Sequence, residues 1–330
     1  MGEVIALRIK DSVYGLQEIT DPAAIELINS RAMQRLKGIS QEGTYCLTHG
    51  YCMTRLEHSI GVYLLLRKFK ASRKEQLAGL IHDLNHPVFS HVCDLVFGTN
   101  ENEDFQDKNL NAFIKETELP CLLEKHGFDA DELLNLHSFK LLERDLPDLC
   151  ADRIDYFLRG QLMQKLASRK KVREFLDSLA IAEGNRFAFK DRKLAKEFAL
   201  RFIKLNKEYY SSPYGIVMFC LLADAMKLGL EKGVISKKEL FSTDAVVYNK
   251  LVASGDAEIK SKLRLISKKT KVIEDEKNFD YRTFKKQRLI DPGVLIEGKI
   301  SLLSELDNEF KKIMAKNKEL KKEYKLRILR

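Results

Sequence analysis

Only six prolines interrupt 330 residues, and between them Leu, Ile and Phe recur three and four positions apart. A proline inside a helix removes a backbone hydrogen bond and clashes with the preceding turn. So few breakers, combined with that apolar period, predict a mainly α protein. The period predicts helices over 55–69 (RLEHSIGVYLLLRKF, with Ile60, Leu64 and Leu65 on one face), 73–85 (stopped by Pro87) and 147–166 (Pro147 near its start). Two more are predicted over 195–212 and 214–233, the last closing on Gly233 as a C-cap. Strand signals are confined to GEVIALRI (2–9) and GNRFAFKD (184–191), which read as small ribbons. From about residue 251 the chain becomes Lys-rich with weaker aliphatic patterning. Residues 1–245 therefore read as one helical core, and 246–330 as an appended, basic, mostly helical region.

The balance of 45% apolar and 32% charged residues predicts a globular, soluble chain. No apolar run approaches the 18 or so residues of a membrane span, and the N-terminus lacks the apolar stretch of a secretory signal. The six cysteines form no CxxC pair, which argues against a zinc ribbon and fits reduced thiols in the cytoplasm. A formal charge of +9 favours polyanionic partners, whether nucleotides, RNA or DNA, although lysines on solvated helix faces give the same total. The tail from Lys311 to Arg330 carries nine Lys/Arg against two Asp/Glu. It reads either as a solvated, frayed end or as a basic helix for single-stranded nucleic acid or a partner subunit.

Chemistry concentrates in GLIHDLNHPVFSH (79–91), which holds three of the seven histidines. An adjacent His82-Asp83 pair offers a neutral nitrogen and an anionic oxygen to one cation. With His58 upstream and Asp152 downstream, each on its own predicted helix, the four form a mixed nitrogen and oxygen set. Such a set suits one divalent ion (Mn, Fe, Co, Ni, Zn or Mg) and leaves room for water and phosphate. On the helix that follows, Asp152, Asp155, Tyr156 and Arg159 share a face by their three- and four-residue spacing.

The order H…HD…D, within TRLEHSIGV, LAGLIHDLNHPVFSH and ADRIDYFLR, resembles the HD-domain phosphohydrolase superfamily. More narrowly, it is similar to the branch of the deoxynucleoside triphosphate triphosphohydrolases. DSVYGLQEITDPAAIELINSRAMQRLKGISQEG resembles that branch's opening segment, and RTFKKQRLIDPGV a downstream basic one. The likeness is strong over about 10–160 and weaker to about 295. It implies an HD-type helical bundle with His58, His82, Asp83 and Asp152 as metal ligands and Arg55 on phosphate. His86 and His91 would lie by the α-phosphate, with Asp94 as the acidic member of an acid–base relay. Arg153 and Tyr156 would lie near phosphates and sugar, Gln41 on the sugar, and Asp155 in a structural role. The implied reaction is in-line hydrolysis of a nucleoside triphosphate, with Mg accompanying the nucleotide, to nucleoside and triphosphate. A homo-oligomer, dimer or tetramer, is implied as well.

Two departures qualify that reading. The family's further histidine has no counterpart between His91 and His126, where 103–117 offers Gln106, Asn109, Leu110 and Asn111. Asp94 is therefore expected to lack a relay partner, and His91 becomes the candidate acid. Gly160 also stands where the triphosphohydrolases carry a sugar-reading Asp. The alternatives are a monophosphatase or cyclic-dinucleotide-type phosphodiesterase, or a nucleotide-sensing or nucleic-acid-binding module with weakened turnover.

Overall fold

The computed structural model describes residues 6–99, 113–286, 288–317 and 321–329, and over them the protein is mainly α with three small sheets. The helices that position the site are α1 (Pro22–Asn29), α2 (Tyr45–His49), α3 (Arg55–Lys68), α4 (Arg73–Ile81), α5 (Val92–Phe97) and α6 (Ala151–Met163). Beyond them run α7 (Arg169–Ser178), α8 (Arg192–Leu205), α9 (Pro213–Glu231), α10 (Asp244–Ala253) and α11 (Ala257–Leu265). Their starts follow local chemistry. Asp21, Ser72, Ser168, Asp191 and Ser212 each cap a helix by accepting from a backbone N–H of its first turn. Pro147 lies outside α6, which begins at Ala151, and Gly233 closes α9 with a φ of 68°.

The core falls into two apolar clusters. One gathers α1, α3, α4 and α6–α8 around Tyr63, Phe157, Phe175 and Phe198. Here Ile60, Leu64 and Leu65 are buried as expected, but so is nearly every other α3 side chain from Arg55 to Leu66. That helix is central rather than amphipathic. The second cluster gathers α5 and α9–α11. The segment from Asp83 to His91 connects α4, in the first cluster, to α5, in the second.

Strands β1 (Leu7–Asp11) and β2 (Gly15–Ile19) form an antiparallel hairpin. The ribbon expected at 184–191 is β4 (Arg186–Phe189), paired with β3 (Leu179–Ala182). The C-terminal quarter differs in part from expectation, because strands stand beside its helices. It supplies β5 (Lys271–Glu274), β6 (Tyr281–Lys286), β7 (Gly293–Ile296), β8 (Lys299–Leu302) and β9 (Lys321–Leu329). Strand β7 pairs in parallel with β4, so a sheet crosses the division expected at 245/246. The tail, expected to be frayed or helical, is helical to Lys316, within a helix over Asn308–Lys316, but then runs over Lys321–Leu329 as β9 between β5 and β6. Its Tyr324, Leu326 and Ile328 are buried in the second cluster. Side chains alternate across a strand, so the lysine-rich positions between them leave one face free to pack.

Among the described residues only α9 is long and apolar enough to cross a membrane, a test that a core helix passes equally, and just over half of its apolar window is buried inside the fold.

Candidate metal centre and adjoining cavity

A capping box sets the start of α3. Thr54 Oγ1 accepts from the Glu57 N–H (3.2 Å), and the Glu57 carboxylate accepts from the Thr54 N–H (2.8 Å). Arg55 and His58 thereby fall on the first turn, and both are buried. The His58 ring is held at both nitrogens, with Nδ1 2.8 Å from Asp155 Oδ2 and Nε2 2.8 Å from Asp152 Oδ1. Burial alone would lower the His58 pKa, but Asp152 and Asp155 together raise it to about 9.

At the end of α4, His82 turns Nδ1 back to the Gly79 carbonyl (2.8 Å). That fixes the proton on Nδ1 and leaves Nε2 as the lone-pair nitrogen. This Nε2 is buried, has no hydrogen-bond partner among the described residues, and lies 3.5 Å from Asp83 Oδ1 and 3.7 Å from Asp152 Oδ1. Donor atoms of His58, His82 and Asp83 all lie within 4.8 Å of one another. Asp83 and Asp152 raise the His82 pKa against its burial, and a neutral His82 presents its Nε2 lone pair towards these two carboxylates, a donor set that fits a divalent cation.

The surroundings brace that set. Asp83 accepts from Arg55 Nη1 (2.7 Å), and His86 Nε2 lies 3.1 Å from its other oxygen. Burial opposes ionisation of Asp83, yet Arg55, His82 and His86 hold its carboxyl well below the usual range. Arg55 Nε also donates to Ser90 Oγ (2.9 Å), which donates to the Ser40 carbonyl (2.6 Å). Phe89 and Ser90 both have φ near +54°, a conformation that costs a non-glycine residue free energy. Asp244 helps hold them there by accepting from the Phe89 N–H (2.6 Å) and from the Ser40 N–H (2.8 Å). Behind His58, Asp155 is fully buried and accepts from Tyr14 Oη (2.8 Å) and Arg159 Nε (2.7 Å), while Arg159 also reaches Asp11 (2.7 Å). This matches the structural role expected of Asp155. Gly61 permits the arrangement, because a Cβ there would stand 2.0 Å from Arg159 Nη2 and 2.2 Å from Asp155 Oδ1.

Beside the cluster opens a cavity of about 340 Å3. Arg55, His91, Gln41 and Tyr156 line it, together with Tyr45, Tyr209, Tyr210, Phe219, Lys285 and Arg288. The Gln41 Oε1 and Tyr156 hydroxyl are buried with no hydrogen-bond partner among the described residues. Two positions differ from expectation. Arg153 is absent from the lining, since its guanidinium donates to the carbonyls of Asp148 (2.6 Å) and Arg144 (3.1 Å) on the far side of α6. His86 likewise lies behind Asp83 rather than in the cavity, and burial together with Arg55 drives its pKa down to about 3.

Asp94 is not without a partner. Its carboxylate receives His91 Nδ1 (3.0 Å) and Thr99 Oγ1 (2.9 Å), leaving His91 Nε2 as the nitrogen available for proton transfer. The expectation that it lacks one is corrected, because the one-turn spacing from 91 to 94 already supplies it. The segment expected to substitute for the family's further histidine, with Gln106, Asn109, Leu110 and Asn111, lies outside the described residues. At Gly160 a Cβ would meet the Tyr210 hydroxyl at 2.6 Å and Leu205 at 3.0 Å, so Tyr210 fills the space that an acidic side chain would need. The sequence reading missed Tyr210, Phe219, Lys285 and Arg288 as lining residues. The basic run at 285–288 was the one available signal for them.

A helical core with a His, a His-Asp pair and a distant Asp braced around one buried point defines a metal-binding phosphohydrolase scaffold. The HD domain family model matches residues 55–160, which contain all four of these positions. The uncharacterized protein YdhJ of Bacillus subtilis is 39% identical over 295 residues, covering 89% of this chain and 90% of its own length. The metal-dependent phosphohydrolase cns2 of Cordyceps militaris is 28% identical over 300 residues, covering 89% and 86%. A solved phosphohydrolase from Bacteroides thetaiotaomicron shares the fold with a TM-score of 0.68 at 17% identity, covering 98% of this chain and all of its own. The chain belongs to the HD-domain family of metal-dependent phosphohydrolases.

Proposed function

We propose that this site hydrolyses a phosphate ester of a nucleotide, with a nucleoside triphosphate cleaved to nucleoside and triphosphate as the first substrate to test. The observation that carries the reading is His82 Nε2. It is buried, has no hydrogen-bond partner among the described residues, and faces two carboxylates, one of them held by Arg55, which lines a cavity with His91, Lys285 and Arg288. In this reading His58, His82, Asp83 and Asp152 hold a divalent cation, which when bound supplies Lewis-acid polarisation of a phosphoryl oxygen and neutralises negative charge.

The chain's own groups account for the rest. Arg55 presents a planar guanidinium to phosphate oxygens while its pairing with Asp83 and Ser90 fixes its orientation. Lys285 and Arg288 add positive charge for the remaining phosphates. His91, oriented through Nδ1 by Asp94, protonates the leaving 5′-oxygen from Nε2. Asp94 and His86 act through His91 and Asp83 respectively, as positioning residues. Gln41 and Tyr156 offer unpaired polar atoms to the sugar. The oriented His91–Asp94 pair favours turnover over a purely sensing role.

The test is to incubate the full chain with Mn, Fe, Co, Ni or Mg and a panel of nucleoside mono- and triphosphates and cyclic dinucleotides, then separate the products. Nucleoside plus triphosphate supports the first choice. Inorganic phosphate from monophosphates alone, or linear products from cyclic dinucleotides, moves the substrate to that ester. Absence of product with every metal rejects the reading, as does activity that survives His82→Ala with Asp83→Ala.

A further inference from the structure

Two consecutive residues of the cavity wall, Gln41 and Glu42, carry three buried oxygens for which the phosphate chemistry has no use. Gln41 Oε1 and both carboxyl oxygens of Glu42 have no hydrogen-bond partner among the described residues. The backbone that carries them is tied down. The Ser40 N–H donates to Asp244 (2.8 Å), the Gln41 N–H to the Met53 carbonyl (2.8 Å), and the Glu42 N–H to Ser40 Oγ (3.3 Å). Gly43 then packs its backbone where a Cβ would stand 2.5 Å from Phe219. The turn therefore holds both residues at the wall.

Tyr45 and Tyr210 are close enough to feel the charge of Glu42, and Tyr45 directs its hydroxyl to Gln164 (3.0 Å) rather than to Glu42. Burying polar oxygens without partners costs free energy, and they are retained where a ligand supplies the partners. Glu42 narrows the choice of ligand. Burial, followed by the Cys46 thiol, pushes its pKa up to about 8, so acid and carboxylate are both populated around neutral pH. The carboxylate asks for two donors side by side, and the acid for one donor beside one acceptor. A nucleobase edge has a fixed order of donors and acceptors and serves one form only. A hydroxyl both donates and accepts, so two adjacent hydroxyls serve both forms. Within a nucleotide that pair is the 2′,3′-diol of ribose, and 2′-deoxyribose lacks it.

We infer that Glu42, with Gln41 beside it, is a specificity-determining residue that binds the adjacent 2′- and 3′-hydroxyls of ribose, so that the site takes ribonucleotides in preference to 2′-deoxyribonucleotides. The inference rests on the nucleotide reading above but concerns recognition and not turnover. Binding therefore tests it even if no hydrolysis is found.

The experiment is equilibrium titration of the chelator-treated full chain with adenosine, guanosine, cytidine and uridine 5′-triphosphates, each beside its 2′-deoxy counterpart. In every pair that binds, wild type is expected to hold the ribo member roughly ten- to hundred-fold more tightly, because a missing hydroxyl leaves a buried Glu42 oxygen unpaired. Glu42→Leu should erase that ratio, chiefly by weakening the ribo member. Glu42→Gln, whose amide also offers an acceptor beside a donor, should retain most of it and so separates lost recognition from lost folding. Equal binding of ribo and deoxy members by wild type overturns the inference and leaves the nucleotide reading standing. A ratio unchanged in Glu42→Leu overturns it as well. A ribo preference without turnover under any metal keeps the inference and rejects hydrolysis, and no binding of any triphosphate rejects both.

Discussion

Replacing Asp155 by Asn tests whether the buried network behind His58 orients a metal ligand. In wild type all three partners of Asp155 are donors. Oδ2 receives His58 Nδ1 (2.8 Å) and Arg159 Nε (2.7 Å), and Oδ1 receives Tyr14 Oη (2.8 Å). Asparagine keeps the shape but supplies one acceptor oxygen and one N–H donor. At least one partner must then face a donor, and Arg159 loses one of its two countercharges, each at 2.7 Å. Removing one member of a buried ion pair costs about 3–5 kcal/mol. Arg159 still has Asp11 at 2.7 Å, so the lower end, about 3 kcal/mol, is expected in denaturant unfolding. The functional consequence is separate. A carboxylate that orients a metal-ligating histidine is worth about 10- to 100-fold in metal affinity, so a Mn titration should weaken by that factor. Lost stability with unchanged metal affinity would refute the link from Asp155 to His58 and leave Asp155 a purely structural residue.

Arg55→Ala should cost about 3–5 kcal/mol, because Asp83 would stay buried without its guanidinium partner, and denaturant melts of the apo chain check this. Deleting 321–330 removes the middle strand of a three-stranded sheet and uncovers the pocket filled by Tyr324, Leu326 and Ile328, each worth roughly 1.5–3 kcal/mol. The truncated chain should be insoluble or melt far earlier, and a soluble chain of unchanged stability would show that β9 is dispensable. Glu42 has a folded pKa of about 8, above the ordinary carboxyl value of 4.5, so the folded state binds more protons between those limits. Its contribution to stability is complete below pH 4.5 and falls as pH rises towards 8, by at most about 1.4 kcal/mol per pH unit. Glu42→Gln should flatten that fall in unfolding free energy measured from pH 5 to 8.

The candidate metal cluster was legible because its residues fall on predicted helices in a fixed order. His58 and Asp152 each lie within two or four residues of a helix start, where small errors in boundaries change little. The partner of Asp94 is local, because His91 lies one helical turn before it, and the family pattern of a distant histidine does not point there. Arg153 sits next to Asp152 in sequence, but one residue along a helix turns the side chain by about 100°, and that sends it to the loop at 144–148. The cavity wall was largely hidden. Tyr209 and Tyr210 belong to a π-helical turn (Asn206–Tyr210) at the end of α8, and Tyr210 meets Gly160 only through the tertiary packing of α8 on α6. In β9 the alternation of Tyr324, Leu326 and Ile328 was present but masked by the density of lysines, which dominated the composition of the tail.

Metal analysis of the purified full chain beside His82→Ala tests the central claim most directly. The account predicts about one equivalent of a divalent ion in the wild type after dialysis and a loss of at least tenfold in affinity in the variant, with the fold retained. Among the described residues the His82 ring makes one hydrogen bond, from Nδ1 to the Gly79 carbonyl (2.8 Å), and losing it costs only about 1 kcal/mol. A well-folded variant that holds the same ion with the same affinity would contradict it and place the metal elsewhere.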